Sequence, residues 1–464
     1  MKIAIIGGGV AGSSAAFYLA SLGLNITLFE KRGIVSGPPM CHLHAGGNLY
    51  REIDDNQCKR LLKESIEFAK LYKQAIDVRP TIIATPIDDE DDPKNYLNRL
   101  EMLKNEYKKL VKENPENKVL GEVDNYYKIY YKKELEKLKN INTPKKPSTL
   151  DDWLIPFAKN VDLDKLKYPI FLVQEYGMNV FRVAASATLL LNKFKVNIKK
   201  AEVIEVKEKE NKFFIKYKQN EKIYSEEFDY LINAAGFESG KIDKSLNYKR
   251  EKFVEFKAAY ITKWNNKENY WPEIVFHGKR GTPKGMAQFT PYYGNYFQLH
   301  GMTKDITLFK KGLVKDKVDP KLPNKFLDKI ELGWDEKEVK ERTNNAINHI
   351  SKFMPSFKKA TPTKKPLYGA QQIPGENPEL RAAEISFEKD EYARCEIVKA
   401  NSIFAMANEI LKKLQKKGVI KDIKEIDFSK FELNKEDVDK LATKIAKERG
   451  YPQEMGYVIN SLTI

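Results

Sequence analysis

The chain is 464 residues long, 42% hydrophobic and 31% charged, which is enough for two or three packed domains and excludes a disordered polymer. Three widely spaced cysteines, Cys41, Cys58 and Cys395, exclude a disulfide scaffold and a four-cysteine zinc site and suit a reducing compartment. The net charge of +16 includes only 12 Arg among 81 basic residues, and acids interleave the lysines throughout, so no nucleic-acid footprint is expected.

No apolar run approaches the roughly 18 residues that a bilayer span needs. Met1-Lys2 leads straight into an apolar strand with no leader pattern, so the expected location is cytoplasmic, with peripheral contact on the inner face of the cell membrane as a further expectation. Lys2–Ile6 is a short apolar run and predicts a buried strand. Gly7-Gly8-Gly9-Val10-Ala11-Gly12 follows at once and fits G-x-G-x-x-G. A helix is predicted over Ser13–Leu22, with small Ala15 and Ala16 where it lies on a sheet, and Gly23 ends it. Ile26–Phe29 predicts a second strand, ending at Glu30 and Lys31. Gly7 permits the tight turn, Gly9 lets backbone approach a pyrophosphate, and Gly12 lets the helix pack on the strand. The N–H groups at the start of the helix, at Val10 and Ala11, face the phosphates, and Glu30 is placed to accept from a ribose diol. This segment predicts dinucleotide binding.

Further along, Val196–Val206 resembles the strand pair that leans on the adenine in glutathione-reductase-type FAD enzymes, which implies Val203 as its backbone contact. Phe228–Gly236 is a strand running into the small turn Ala234-Ala235-Gly236. It resembles the second flavin-contact segment of glutathione-reductase-type FAD enzymes, which a typical NAD dehydrogenase has no reason to carry, so FAD is the expected cofactor. Ser36–Asn48, containing His44-Ala45-Gly46-Gly47, resembles the serine- and glycine-rich loop of the D-amino-acid-oxidase-like superfamily, which passes close to the isoalloxazine. Gln174–Gly177 through Arg182 resembles that superfamily's segment before its next helix. Gln288–Gly294 and Leu299–Thr303 resemble its substrate hairpin, and Arg394-Cys395-Glu396 its final flavin segment. The glycine-rich signature usual before the last helix is absent, and residues 76–150 match nothing in the pattern.

The resemblance implies an α/β fold: a discontinuous Rossmann-type FAD-binding domain (1–75, 150–250 and 365–415) with an antiparallel-sheet substrate domain (251–364). A solvated helical insertion (76–149) and a C-terminal helical tail (416–464) complete the expected organisation. It further implies an FAD-dependent oxidoreductase that dehydrogenates a small 2-hydroxy or amino acid and passes electrons to quinone or oxygen. Malate:quinone-oxidoreductase-like and hydroxyglutarate-oxidase-like enzymes share this plan. The alternative is an FAD enzyme acting on a macromolecule such as tRNA. In some relatives a His followed by small residues is bonded to the flavin 8α carbon, so His44 is expected beside the ring, either bonded or in simple contact.

A carboxylate needs a cationic fork, and arginine is scarce here. Arg381 and Arg394 flank the final flavin segment and are the predicted clamp, with Arg280 a further candidate. His300, His277 and Tyr260 fall on predicted substrate-sheet strands and are the candidates for taking a substrate proton. Cys41-His42-Leu43-His44 lacks a second cluster at ligand spacing, so no metal is expected.

Overall fold

The computed structural model of the chain describes residues 1–45, 53–383, 385–421 and 426–462. β1 (Lys2–Ile6) is buried from Ile3 to Ile6, as a strand covered on both faces must be. It pairs in parallel with β2 (Asn25–Glu30) on one side and with Tyr230–Asn233 on the other. α1 (Val10–Ser21) makes the crossover that a parallel β1–β2 pair requires. Asn197–Lys200 extends this sheet beyond β2, and Tyr392–Cys395 extends it at the other side, followed by Ile385–Lys389 as an antiparallel edge. A three-stranded meander, Glu202–Lys209, Lys212–Gln219 and Lys222–Phe228, packs Val206, Phe213 and Ile215 against Phe29.

The second large sheet has ten strands and is built around Lys252–Lys263. That strand pairs antiparallel with Tyr296–Gly301, Leu313–Asp316 and Leu367–Pro374. The order continues through Ala287–Tyr292 and Glu273–Phe276. Its far face buries an aromatic core including Trp264, Trp271, Phe289, Phe297 and Phe357.

Three expected boundaries are corrected by the sheet. Residues 76–149 are not a solvated helical insertion. Thr81–Pro86 pairs in parallel with Glu273–Phe276 and antiparallel with Leu166–Val173, and Tyr127–Tyr130 pairs with Leu166–Val173 in turn. Every residue of Thr81–Pro86 is buried, so it shows no alternation to mark it as a strand. The helix Leu97–Glu113 is present, but its stripe of Leu100, Leu103, Tyr107 and Leu110 is buried. Leu166–Val173 and Leu367–Pro374, expected in the FAD-binding domain, belong to the substrate sheet. The tail is not an appendage either: its helix Lys435–Glu448 packs Val438, Ala442 and Ala446 in one core with Val180 and Phe181 of the helix Val180–Lys193. Arg182 forms a buried ion pair with Asp439 across that contact.

Arg394 and Tyr260 also fall in structural positions. Arg394 is 2% exposed, with Nε donating to Asp243 Oδ1 at 2.5 Å and Nη2 to Glu388 Oε2 at 2.7 Å. Asp243 accepts as well from Lys252 and Tyr392, so this cation is part of a buried polar knot. Tyr260 is fully buried and donates to the Ile306 carbonyl at 2.9 Å. Replacing Arg394 by Met is expected to destabilise the protein by about 3 kcal/mol, because it strips a buried carboxylate of a charged partner. Urea unfolding checks this, with flavin content and turnover of the folded fraction retained; a variant as stable as wild type but inactive would return Arg394 to the site.

Candidate active site

The carboxyl ends of β1 and β2 open into a cavity of about 780 Å³ that runs from the glycine turn to the substrate sheet. Each glycine of the turn has a distinct reason. Gly7 has φ +103, and a Cβ there would lie 2.4 Å from the Ala234 carbonyl oxygen. At Gly12 a Cβ would lie 1.9 Å from the Gly7 oxygen, so α1 can sit on β1 only without a side chain. Gly9 differs: a Cβ there meets nothing within 4 Å, because the position faces the cavity. Gly9 is also the N-cap of α1 and supplies no side-chain cap, which leaves the first amides of the helix for an anion.

Glu30 closes the other half of this cradle. Its Oε2 accepts from Gly8 N at 2.6 Å, and its Oε1 from Arg32 N at 2.5 Å and Gly33 N at 2.8 Å. Carboxylate oxygens accept more than one bond each, so Glu30 keeps capacity for a diol. Lys31, tied to Glu238 at 2.9 Å, lines the same end with Val203, Ala234, Ala235 and Gly236. These residues suit a dinucleotide: an open backbone for pyrophosphate, uncapped helix amides and a fixed acid.

The other end of the cavity is rich in ionisable groups. His42 and His44 come from the loop after β2, and Leu43 N bonds the Tyr176 carbonyl at 2.8 Å to hold that loop on Gly177. The close approach explains Gly177, where a Cβ would lie 2.6 Å from the Arg79 guanidinium. His42 Nδ1 lies 2.5 Å from Glu273 Oε1, Arg79 Nη1 donates to Glu273 Oε2 at 2.7 Å, and Gln288 donates to Glu273 Oε1 at 2.5 Å. His42 Nε2 is 3.9 Å from Glu175. Burial pulls the His42 imidazole down, but the Cys41 sulfur and the Glu273 carboxylate outweigh it and hold it well above the usual value. Burial raises Glu273, but His42 and Arg79 bring it to about 2. Glu175 is driven the other way, to about 8, by burial and by the Glu273 charge against the pull of His42.

The sequence expectation of no metal rested on the lack of a second ligand cluster; the fold brings Glu175 and Glu273 to the Cys41–His44 stretch, so that His42, His44 and Glu175 present donor atoms within 4.8 Å of one another. His42 Nδ1 is already engaged by Glu273.

His300 and His277 both line the cavity. Burial and then the Lys257 charge press His300 down to about 3, so it is neutral. The Gln298 amide is 3.1 Å from its Nε2, and Tyr292 bonds the other end of that amide at 3.1 Å. In this arrangement Nε2 accepts, and the ring proton lies on Nδ1. His277 stacks edge-on against Tyr96 at 5.2 Å. His44 is held well below its usual value by burial and by the Lys399 charge. Arg381 lines this end, with Nη1 donating to the Pro378 and Leu380 carbonyls and Nη2 to Glu379 at 2.6 Å. Ala45 is buried under Tyr126, whose hydroxyl donates to its carbonyl at 3.0 Å, and it does not line the cavity. Gly46 and Gly47 lie outside the described residues.

Sequence reasoning missed His42 as a buried partner of Glu273, and it missed Lys257, Lys399 and Arg449 in the cavity wall. One signal was available: Glu255 and Lys257 interrupt the otherwise apolar strand FVEFKAAYI.

A parallel sheet with a glycine turn and terminal acid, joined to a second sheet that closes a charged reaction lobe, defines a dinucleotide-dependent enzyme of two sheets. A profile of the FAD dependent oxidoreductase (DAO) family matches residues 2–383, and the chain belongs to that family. It is an oxidoreductase and its cofactor is FAD. Similar solved structures include glycine oxidase from Geobacillus kaustophilus, at 12% identity and TM-score 0.57, covering 93% of this chain and 98% of that one. L-Proline dehydrogenase from P. horikoshii aligns at 14% identity and TM-score 0.56, covering 97% and 98%. L-α-Glycerophosphate oxidase from Mycoplasma pneumoniae, solved with FAD bound, aligns at 13% identity and TM-score 0.55, covering 89% and 94%. These likenesses show the fold. No curated relative matches the chain.

The two inner glycines make opposite predictions. Gly9→Val is expected to give a folded but colourless protein that does not take up FAD, since its side chain enters only the cofactor's space. Gly12→Val is expected to fail to fold, since its side chain meets backbone. Circular dichroism and flavin absorbance of the two variants separate these outcomes; a yellow Gly9→Val protein would place the pyrophosphate elsewhere.

Glu175 titrates higher in the fold than in the unfolded chain, so the native state binds the extra proton. Its stability contribution is complete in acid and is lost as pH rises through about 8. Glu175→Gln should therefore gain Tm relative to wild type on going from about pH 6 to pH 9, by about 2 °C or more. A pH-independent difference would mean that Glu175 stays ionised.

Proposed function

We propose that the chain dehydrogenates a small carboxylate-bearing substrate, a 2-hydroxy acid or an amino acid, and passes the electrons to quinone or oxygen. The observation that carries this reading is the meeting of Arg381 and Lys399 with His42, His44 and His300 in the lobe of the cavity away from the dinucleotide cradle. Bound FAD supplies the hydride acceptor at N5; the protein supplies position and charge.

Arg381 has its guanidinium plane fixed by two carbonyls and Glu379, which suits it to orient a planar carboxylate. Proton removal falls to an imidazole that is uncharged at working pH, and His44 and His300 both are. His300 can accept on Nδ1 only if the Gln298 amide turns to take the ring proton on Nε2, so the Tyr292–Gln298 pair sets which way His300 works. A quinone acceptor would bring the protein to a membrane surface; among the described residues no helix is long and apolar enough to cross one. A tRNA-sized substrate has less support, because surface lysines are paired along their own helices, as Lys109 is with Glu106 and Glu113.

Anaerobic mixing with a panel of hydroxy and amino acids is expected to bleach the flavin band with at least one of them. Arg381→Met should lower kcat/KM for that compound by about 30-fold or more, the loss expected of a charge-assisted fork. The acid limb of kcat/KM should lie below about pH 5 rather than at the ordinary histidine value, because the accepting imidazole is neutral throughout the neutral range. A flavin that no carboxylate bleaches would overturn the reading.

A further inference from the structure

Glu255 and Lys257 of the strand Lys252–Lys263, with Arg280 from the loop after Glu273–Phe276, form a charged trio at the wall of the cavity. Glu255 is 7% exposed and sits behind the cavity wall, while Lys257 and Arg280 line the cavity in front of it. Lys257 Nζ lies 3.2 Å from Glu255 Oε2, and Arg280 Nη2 bonds Glu255 Oε1. One carboxylate thus holds two cations, one on each oxygen, and balances the charge of only one of them. Burial raises Glu255, but the two cations bring it to about 2, so it is ionised. Lys257 is pressed down by burial and, across the lobe, by Arg381. In the ladder Lys257 stands opposite Gly369, where a Cβ would lie 2.7 Å from Pro38 N of the loop after β2. The trio therefore sits at the seam where the substrate sheet meets the flavin-side loop, within electrostatic reach of the guanidinium already assigned to a carboxylate.

We propose that Lys257 and Arg280, oriented by Glu255, bind a second anionic group, so that the substrate is a small dianion held by Arg381 at one end and by this pair at the other. The inference rests on the reading of Arg381 as the carboxylate clamp. Glu255 neutralises only one of these two half-buried cations, so the pair keeps a positive charge facing the cavity that a monocarboxylate on Arg381 leaves unmet. The pair suits either a second carboxylate or a phosphate monoester, since both present several oxygens to a guanidinium and an ammonium.

Ligand binding to the FAD-loaded protein tests this without turnover. Butyrate, succinate and 2-phosphoglycolate, which carries a carboxylate at one end and a phosphate monoester at the other, are titrated separately, following the perturbation of the flavin spectrum. Succinate or 2-phosphoglycolate is expected to bind about ten-fold or more tighter than butyrate, and whichever is tighter identifies the second group as carboxylate or phosphate. Lys257→Met should abolish that preference while leaving butyrate within about two-fold. Arg280→Met, at a more exposed position, serves the same purpose should Lys257→Met not fold. Dianions that bind no tighter than butyrate, or a preference that survives both variants, overturn the proposal. Failure of the bleaching panel with the dianion preference intact would remove the oxidation reading alone.

Discussion

His42, Glu273 and Arg79 form a buried chain of charges that joins the loop after β2 to the substrate sheet. His42 belongs to the loop that leaves β2, Glu273 to a strand of the substrate sheet, and Arg79 to the turn before Thr81–Pro86. Each of these charges is costly to bury alone; together they are held because every one has an ionised partner at hydrogen-bond distance. The loop that carries His44 is thereby fixed against the substrate sheet, and the width of the reaction lobe follows from it. Removing any one member would leave a buried charge exposed to the rest, so the network acts as a unit.

The lobe it frames is electrostatically divided. On the deep side the charge held on His42 is met by the ionised Glu273. On the near side burial lowers Lys257 and Lys399, and the Arg381 charge lowers both further. His300 and His44 stand between the two walls and are kept neutral by burial and by those cations. An anion therefore finds attraction on one wall and an uncharged proton acceptor beside it. The same cations, together with burial, keep the two imidazoles free of protons.

The part of this arrangement that can be read along the chain is the part set by short-range geometry. Strand, glycine turn, helix, strand and acid fall within thirty residues, and each glycine answers to a clash or an opening that sequence spacing anticipates. Ala234–Gly236 is legible for the same reason. Thr81–Pro86 is not, because a strand buried on both faces has no period, and the strong helical period of Leu97–Glu113 beside it dominates. Scarcity singles out Arg381 and Arg394 equally. Only the fold shows that Arg394 lies within a strand beside Asp243, while Arg381 follows an irregular segment at the cavity. Lys257 is marked in the sequence only as a charge within an apolar strand; its relation to Arg280 runs through Glu255, whose bond to Arg280 spans 25 positions.

The tail shows how far the cradle depends on distant chain. After Glu30 the backbone turns through Gly33 at φ +155 and Val35 at φ +51, the latter a left-handed conformation that a β-branched residue adopts only under constraint. Three bonds supply it. Val35 N donates to the Gly8 carbonyl at 2.8 Å, tying the turn to the glycine loop. Arg449, immediately after the helix Lys435–Glu448, donates from Nη1 to the Val35 carbonyl at 2.9 Å and from Nη2 to the Ile34 carbonyl at 2.7 Å. Burial lowers the Arg449 guanidinium, and it lines the cavity with Tyr451. A residue more than four hundred positions away thus holds the strained turn that sets the floor between the ribose acid and the reaction lobe. The helix that carries it is fixed in turn by the Arg182–Asp439 pair, so the shape of the cofactor cradle is decided as much by the end of the chain as by its first thirty residues.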